Sequence, residues 1–240
     1  MKKGFITPYE ITSNHLNRTV KIGVYFPIDY SPFEEHHLII CFDGQDVSQI
    51  GQIHRKYEQL VSDGLEAAVF VFVHYTDTRE RRQEYHPEGA LRSNYQQFVA
   101  EELLIFLKDG FNLKHSKENT VLVGDSLAAS IALTLTIEQP EIASNAILFS
   151  PMITEAIISD IAEIPEKVTS QLNYYLIVGK NESHFKLMTG DYANFLTPIQ
   201  HLHQTFQKHS IQHYYAEIDG GHTWKTWKPQ LENCLNYYLS

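Results

Sequence analysis

Short, almost wholly apolar runs recur along the chain, with segments of helical pattern between them, and this alternation constrains the fold more than any other feature. The runs are Leu38 to Phe42, Ala67 to Val73, Thr120 to Val123, Ala146 to Phe149, Tyr174 to Val178 and Tyr214 to Ile218. A strand that is apolar at every position has both faces buried, which is the mark of a parallel sheet covered by helices. Between the runs, residues 94–108 place Phe98, Leu103, Phe106 and Leu107 near one helical face. Residues 127–138 read as a helix stopped before Pro140. Residues 197–209 carry Pro198 near a helix start, and residues 228–238 close the chain with Leu231, Leu235 and Tyr238. Residues 18–27 differ: they alternate apolar and polar, as a half-buried strand does, and with residues 3–12 they predict an antiparallel hairpin at one sheet edge. The expected architecture is α/β, a mostly parallel central sheet with helices on both faces and an antiparallel N-terminal edge. No repeat, low-complexity segment or Gly/Ser/Pro linker divides residues 1–240, so one domain is expected.

Charge and cysteine use narrow the partners. The formal charge is −10, and no Lys/Arg-rich run interrupts that acidity. Neither a nucleic-acid partner held through phosphates nor a polybasic membrane contact is expected. No stretch approaches ~18 consecutive apolar residues, so no transmembrane helix is expected. Met1-Lys2-Lys3-Gly4-Phe5 begins like a leader, but Tyr9-Glu10 and Ser13-Asn14-His15 interrupt the apolar region a signal peptide needs, and a cytoplasmic location is the expectation. Cys41 sits within an apolar run as a small buried hydrophobe, and with Cys234 it is too little for a disulfide framework.

The chemistry concentrates in two short segments. Val121-Leu122-Val123-Gly124-Asp125-Ser126-Leu127-Ala128-Ala129 runs from a buried strand through a tight turn into a helix, the context of a nucleophile elbow. Small residues at 124 and 128 let strand and helix backbones approach, Ser126 Oγ projects above the sheet, and the Leu127 N–H faces a developing oxyanion. The plainer alternative is a βα turn whose serine caps the helix. Asp219-Gly220-Gly221-His222-Thr223-Trp224 follows the last strand, where a histidine can reach that serine, and the paired glycines permit a sharp path. The acid that orients the imidazole belongs between the two in the chain, after a strand. Glu182 is the first acid after Tyr174 to Val178, with Asp191 and Asp219 left as alternatives. A second oxyanion donor is expected after Leu38 to Phe42, where Asp43-Gly44-Gln45-Asp46 turns the Gln45 N–H toward the nucleophile; the alternative is a plain Asp-Gly turn. His201-x-His203 is a poor metal pair, because residues two apart on a helix face different directions.

In this order, Asp43-Gly44-Gln45, Arg81-Arg82-Gln83-Glu84-Tyr85-His86-Pro87, Gly124-Asp125-Ser126 and Gly220-Gly221-His222-Thr223-Trp224-Lys225-Thr226-Trp227 resemble the Putative esterase family of α/β-hydrolases. That family includes enterochelin (ferric siderophore) esterases and S-formylglutathione hydrolase, and the siderophore-esterase branch is the closer match. The resemblance spans roughly residues 20–238. Ala128-Ala129 stands where the family usually has Gly-Gly, and the N-terminal domain of some siderophore esterases has no counterpart expected here.

The resemblance implies acyl transfer from an ester to water. Ser126 attacks, His222 takes its proton, the Gln45 and Leu127 N–H groups hold the oxyanion, and neither metal nor organic cofactor is needed. The partner implied is a small-molecule ester, with a homodimer left open. Arg79, Arg81, Arg82 and Arg92 fall near the rim of the family's site, where they would attract an anionic substrate such as a ferric tris-catecholate. Arg81, Tyr85 and Trp227 are the candidate substrate contacts. The competing expectation pairs Arg81 with Glu84 and puts Tyr85 and Trp227 in the core. Three other functions compete with a general serine carboxylesterase: a catecholate-trilactone esterase, an acyltransferase on the same triad, and a non-catalytic binding module. Retention of Ser126, Leu127 and His222 argues against the last.

Overall fold

A computed structural model describes residues 4–28, 30–111, 113, 116–186 and 190–240; Lys3, the first residue of the expected hairpin, lies outside them. The strands are β1 (Phe5–Ser13), β2 (Arg18–Phe26), β3 (His37–Cys41), β4 (Ala68–Val73), β5 (Thr120–Asp125), β6 (Asn145–Phe149), β7 (Asn173–Gly179), β8 (Phe185–Lys186), β9 (Tyr192–Ala193) and β10 (Gln212–Ile218). Eight of them form one sheet in the order β1-β2-β4-β3-β5-β6-β7-β10, and β8 and β9 pair separately. β1 and β2 form the antiparallel edge hairpin, in register from Phe5↔Phe26 to Ser13↔Arg18. β2 meets β4 antiparallel, and from β4 to β10 every neighbouring pair is parallel.

The apolar runs are explained by the two cores they separate. Leu38, Ile40, Val69, Val71, Leu122, Leu148 and Leu176 point into one, and Ile39, Cys41, Phe70, Phe72, Val121, Val123, Ile147 and Ile177 into the other. Every residue of β4, β5 and β6 is buried. Each fully buried Leu, Ile, Val or Phe contributes about 1.5–3 kcal/mol relative to exposure, so a strand covered on one face only would not keep this composition.

The helices are α1 (Gly44–Asp46), α2 (Ile53–Leu60), α3 (Thr78–Tyr85), α4 (Arg92–Gln97), α5 (Leu104–Phe111), α6 (Leu127–Glu138), α7 (Glu155–Glu163), α8 (Glu166–Thr169), α9 (Leu196–Lys208), α10 (Trp224–Trp227) and α11 (Leu231–Leu239). Ile131, Leu135, Ile157, Ile161, Leu202 and Phe206 bring α6, α7 and α9 to the first core, and Ile53, Tyr57, Leu231 and Leu235 bring α2 and α11 to the second. Helix α3 has no apolar stripe to announce it. It starts because Asp77 Oδ1 accepts from the N–H groups of Arg79 and Glu80 at 2.8 and 2.9 Å. Among the described residues no helix is long and apolar enough to cross a membrane.

Parallel strands put all their carboxyl ends on one rim. The loops after β3, β5, β6, β7 and β10 therefore share that rim, while the returns 139–144, 170–172 and 209–211 lie on the other.

Candidate active site

Ser126 stands between β5 and α6 at φ 55, ψ −121, outside the regions that L-residues ordinarily occupy. Such a conformation costs on the order of 1–3 kcal/mol and persists only where its surroundings enforce it. Here the Ser126 N–H donates to Phe149 O at 2.9 Å, and Ser126 O accepts from the N–H of Ser130 at 3.1 Å. A Cβ at Gly124 would lie 2.2 Å from the Ala128 carbonyl, so only glycine admits so close a helix. Ala128 and Ala129 are fully buried, and the packing accepts their methyl groups. Ser126 itself is half-buried, between the buried Asp125 and Leu127.

Two loops tied together supply the acid and the base. Lys180 N–H donates to Ile218 O at 2.8 Å and Asn181 N–H to Gly220 O at 2.9 Å. Glu182, wholly buried, accepts at Oε1 from the Gly179 N–H and from Ser150 Oγ, each at 2.8 Å. Its Oε2 lies 2.7 Å from His222 Nδ1. Of the other two acids, Asp219 is exposed and accepts from Lys180 Nζ at 2.8 Å, and Asp191 is at the surface. The His222 ring is stacked on Phe195 with centroids 4.0 Å apart, tilted against Phe185 at 4.9 Å, and met edge-on by Trp227 at 5.0 Å. The small β8–β9 hairpin thus provides part of the wall around the imidazole.

The segment after β3 is the start of a helix rather than a plain turn. Asp43 takes φ 52, ψ 43 at the N-cap of α1, and a Cβ at Gly44 would lie 2.4 Å from the Phe72 carbonyl carbon. The intrahelical bonds begin with Asp46 and Val47 N–H to Asp43 O. The Gln45 N–H belongs to the first turn, whose donors have no intrahelical acceptor, and the Leu127 N–H holds the same place in α6. The Gln45 side chain does not face the site. Its amide pairs with the Tyr75 backbone, Nε2 donating to the carbonyl at 3.1 Å and Oε1 accepting from the N–H at 3.2 Å.

The three candidate substrate contacts are each engaged within the protein. Arg81 Nε donates to both Asp43 oxygens at 2.8 Å and Nη2 donates to Oδ2, while its guanidinium also lies over the Tyr75 and Tyr85 rings at 5.6 Å. Glu84, the alternative partner, is held by Arg18 Nη2 at 2.8 and 2.9 Å. Tyr85 is 1% exposed with its hydroxyl 3.1 Å from that of Tyr95, so it is a core residue. Trp227 is also buried, and its Nε1–H donates to Ser150 Oγ at 2.9 Å. Of the remaining arginines, Arg92 is paired with Glu138, and Arg79 and Arg82 are exposed.

Beside the elbow, Asp125 is buried and its Oδ1 has no hydrogen-bond partner among the described residues. Burial first, and then the charge of Asp43, push its carboxyl well above the usual range against the pull of Arg81. Sequence reasoning passed over both this acid and Ser150. The signal for Ser150 was present in Phe149-Ser150-Pro151, a serine directly after a buried strand beside that of the elbow.

His203 of the His201-x-His203 pair turns to His213, Nδ1 to Nε2 at 2.8 Å, and among the described residues no group of three or more His, Cys, Asp or Glu is placed to hold a metal ion. A cleft of about 600 Å³ lined by Phe5, Tyr9, Phe26, Tyr30 and Phe111 holds none of the rim residues.

A family model described as Putative esterase matches residues 13–238. The uncharacterized protein YjcH of Bacillus subtilis (strain 168) is 30% identical over 239 residues, 99% of each chain. Among solved structures, a ferulic acid esterase superposes with a TM-score of 0.80 at 14% identity, covering 99% of this chain and 98% of its own. The enterobactin esterase FES from Shigella flexneri, in the presence of enterobactin, gives a TM-score of 0.81 at 19% identity over 96% of this chain, which spans 57% of that protein. The BES protein from Bacillus cereus gives 0.76 at 17% identity, covering 98% of this chain and 95% of its own. At these identities the structural likeness is one of fold.

Proposed function

The chain belongs to the Putative esterase family, and from that premise we propose that it is a serine carboxylesterase working through an acyl-enzyme on Ser126. The observation that carries the reading is the 2.7 Å contact of Glu182 Oε2 with His222 Nδ1, on the rim the strained Ser126 elbow shares. A carboxylate at Nδ1 fixes the tautomer with its proton there, leaving Nε2 as the base.

In this mechanism Ser126 Oγ attacks the ester carbonyl as His222 Nε2 takes the hydroxyl proton. The tetrahedral oxyanion accepts from the N–H groups of Leu127 and Gln45, and each such donor lowers the barrier by about 3 kcal/mol. Collapse expels the alcohol, which receives the proton from His222. Water then repeats the sequence on the acyl-enzyme, releasing the acid and restoring Ser126. Glu182 balances the imidazolium that forms twice per cycle.

The substrate is a small carboxylic ester. Arg81 is committed to Asp43 and Arg92 to Glu138, which engages two of the four arginines that would attract an anionic catecholate trilactone, so a general ester is preferred to a siderophore. The test is labelling by a fluorophosphonate probe beside turnover of p-nitrophenyl esters and a siderophore lactone. Wild type is labelled and Ser126→Ala is not; a folded, unlabelled wild type refutes the reading. Selective turnover of the lactone would reinstate the siderophore, and transfer of the acyl group to an added alcohol in preference to water would make the enzyme an acyltransferase.

A further inference from the structure

Trp227 is buried, lies close to His222, and has no part in the steps above. Its indole N–H is a donor only, so at 2.9 Å the Ser150 hydroxyl must accept it. Ser150 has one proton of its own, and Glu182 Oε1 stands 2.8 Å away to receive it. The Gly179 N–H brings a second donor to the same oxygen at 2.8 Å. With Oε1 doubly held, the carboxylate plane is fixed and Oε2 is presented to His222 Nδ1 at 2.7 Å.

We propose that Trp227 and Ser150 are positioning residues of the esterase, a directed chain of hydrogen bonds, Trp227 to Ser150 to Glu182, that sets which oxygen of the acid meets His222. The proposal rests on the serine-esterase reading and extends it to residues that do not touch substrate.

Two further observations support it. Ser150 is fully buried at φ 47 and its N–H donates to Ile177 O at 2.9 Å, so its position is fixed by backbone just beyond β6, the strand between those that precede Ser126 and Glu182. The preceding residue, Phe149, offers the carbonyl that accepts the Ser126 N–H. Two successive residues at the end of β6 therefore hold the backbone of the nucleophile and the side chain of the acid. The Trp227 ring also meets His222 edge-on, with an interplanar angle of 85°. One side chain thus limits the imidazole directly and orients its partner through Ser150.

The experiment compares wild type, Trp227→Phe, Ser150→Ala and the double variant in p-nitrophenyl acetate hydrolysis and in the rate of fluorophosphonate labelling. Each single variant is expected to lose about tenfold in kcat and in labelling rate, equivalent to about 1.4 kcal/mol, with KM within about twofold. Because the two act in series, the double variant is expected to be no slower than the slower single variant. Losses that multiply, losses carried by KM, or unchanged labelling in both singles overturn the proposal. Trp227→Phe keeps a ring against His222 and reads the chain of bonds if Ser150→Ala does not fold. A proton NMR measurement separates this proposal from the esterase reading. The low-field imidazole N–H resonance of His222 is expected in wild type and in Ser126→Ala, and shifted upfield in Trp227→Phe. A resonance unchanged by Trp227→Phe refutes the positioning role whether or not the protein hydrolyses esters, whereas absent labelling in wild type refutes the esterase reading alone.

Discussion

Glu182 and Asp125 are both buried carboxylates on the carboxyl rim of the sheet, one just beyond β7 and the other at the end of β5. Glu182 is surrounded by donors: the Gly179 N–H, the Ser150 hydroxyl and His222 Nδ1. Asp125 has an oxygen with no partner among the described residues, and a cation that acts on it, Arg81, is bonded to Asp43. Burial is nearly equal, 0% exposed against 8%, so it does not separate them. The donors aimed at each acid do. Glu182 is held in one orientation as a partner for the imidazole, while burial and the charge of Asp43 push the Asp125 carboxyl up, beside an ion pair that already has its negative member.

The strongest way to break this contrast is Glu182→Gln. The amide cannot balance an imidazolium and can donate toward Nδ1, favouring the wrong tautomer; kcat is expected to fall about 10³–10⁴-fold with little change in KM. Steady-state hydrolysis of p-nitrophenyl esters measures it, and a loss below tenfold would mean that Glu182 is not the operative acid. Next in size is Arg81→Met. It leaves Asp43 buried without its cation and beside Asp125, at a cost of about 3–5 kcal/mol of stability. Urea unfolding reads this, and a cost under about 1 kcal/mol would show that Asp43 carries no charge in the folded protein.

His54 tests whether burial without donors has the same effect on a base. It lies between Tyr25 and Phe72, and its Nδ1 has no partner among the described residues. Burial, with help from Arg55, pushes its pKa down to about 4. The unfolded chain takes up a proton near 6.5 that the folded chain refuses, so stability is complete above about pH 6.5 and declines as pH falls toward 4, by about 1–2 kcal/mol. His54→Phe is expected to flatten that limb of the stability–pH curve; an unchanged limb assigns it to other groups. The smallest effect belongs to Asp125→Asn. A raised carboxyl pKa costs stability as pH rises above about 3.9, so at pH 7 the neutral amide is expected to be equal or better by less than about 1 kcal/mol. The advantage should disappear near pH 3.5, and kcat should stay within about threefold. A variant several kcal/mol weaker at pH 7 would instead mark Asp125 as a charged partner of Arg81.

The central strands were legible because burial on two faces writes a continuous apolar run, and each run falls on a strand to within a residue; Tyr214 to Ile218 is the exception in burial, because β10 is the edge of the sheet and its residues are partly exposed. Helix α3 was not, since only Glu84 and Tyr85 of its residues are buried and its start depends on the side chain of Asp77. Ser126, His222 and Glu182 could be picked out because each follows a strand end, and the structure brings Glu182 to His222. The partner of Arg81 could not. Sequence proximity suggested Glu84, but the ion pair is with Asp43, 38 residues away, and depends on β3 and β4 lying side by side. Trp227 stays open between pocket and core in the sequence, because an abundance of aromatic residues does not distinguish a buried ring from an exposed one.

The returns 139–144, 170–172 and 209–211 lie on the rim that carries none of the proposed chemistry. The polypeptide can therefore be rewired there. An insertion within 139–144 would leave the loops after β3, β5, β6, β7 and β10 in their places. A reporter domain grafted at 209–211 would hang on the far side from incoming ester. The molecule offers an underside for engineering that is insulated, by the full height of its sheet, from the work done above.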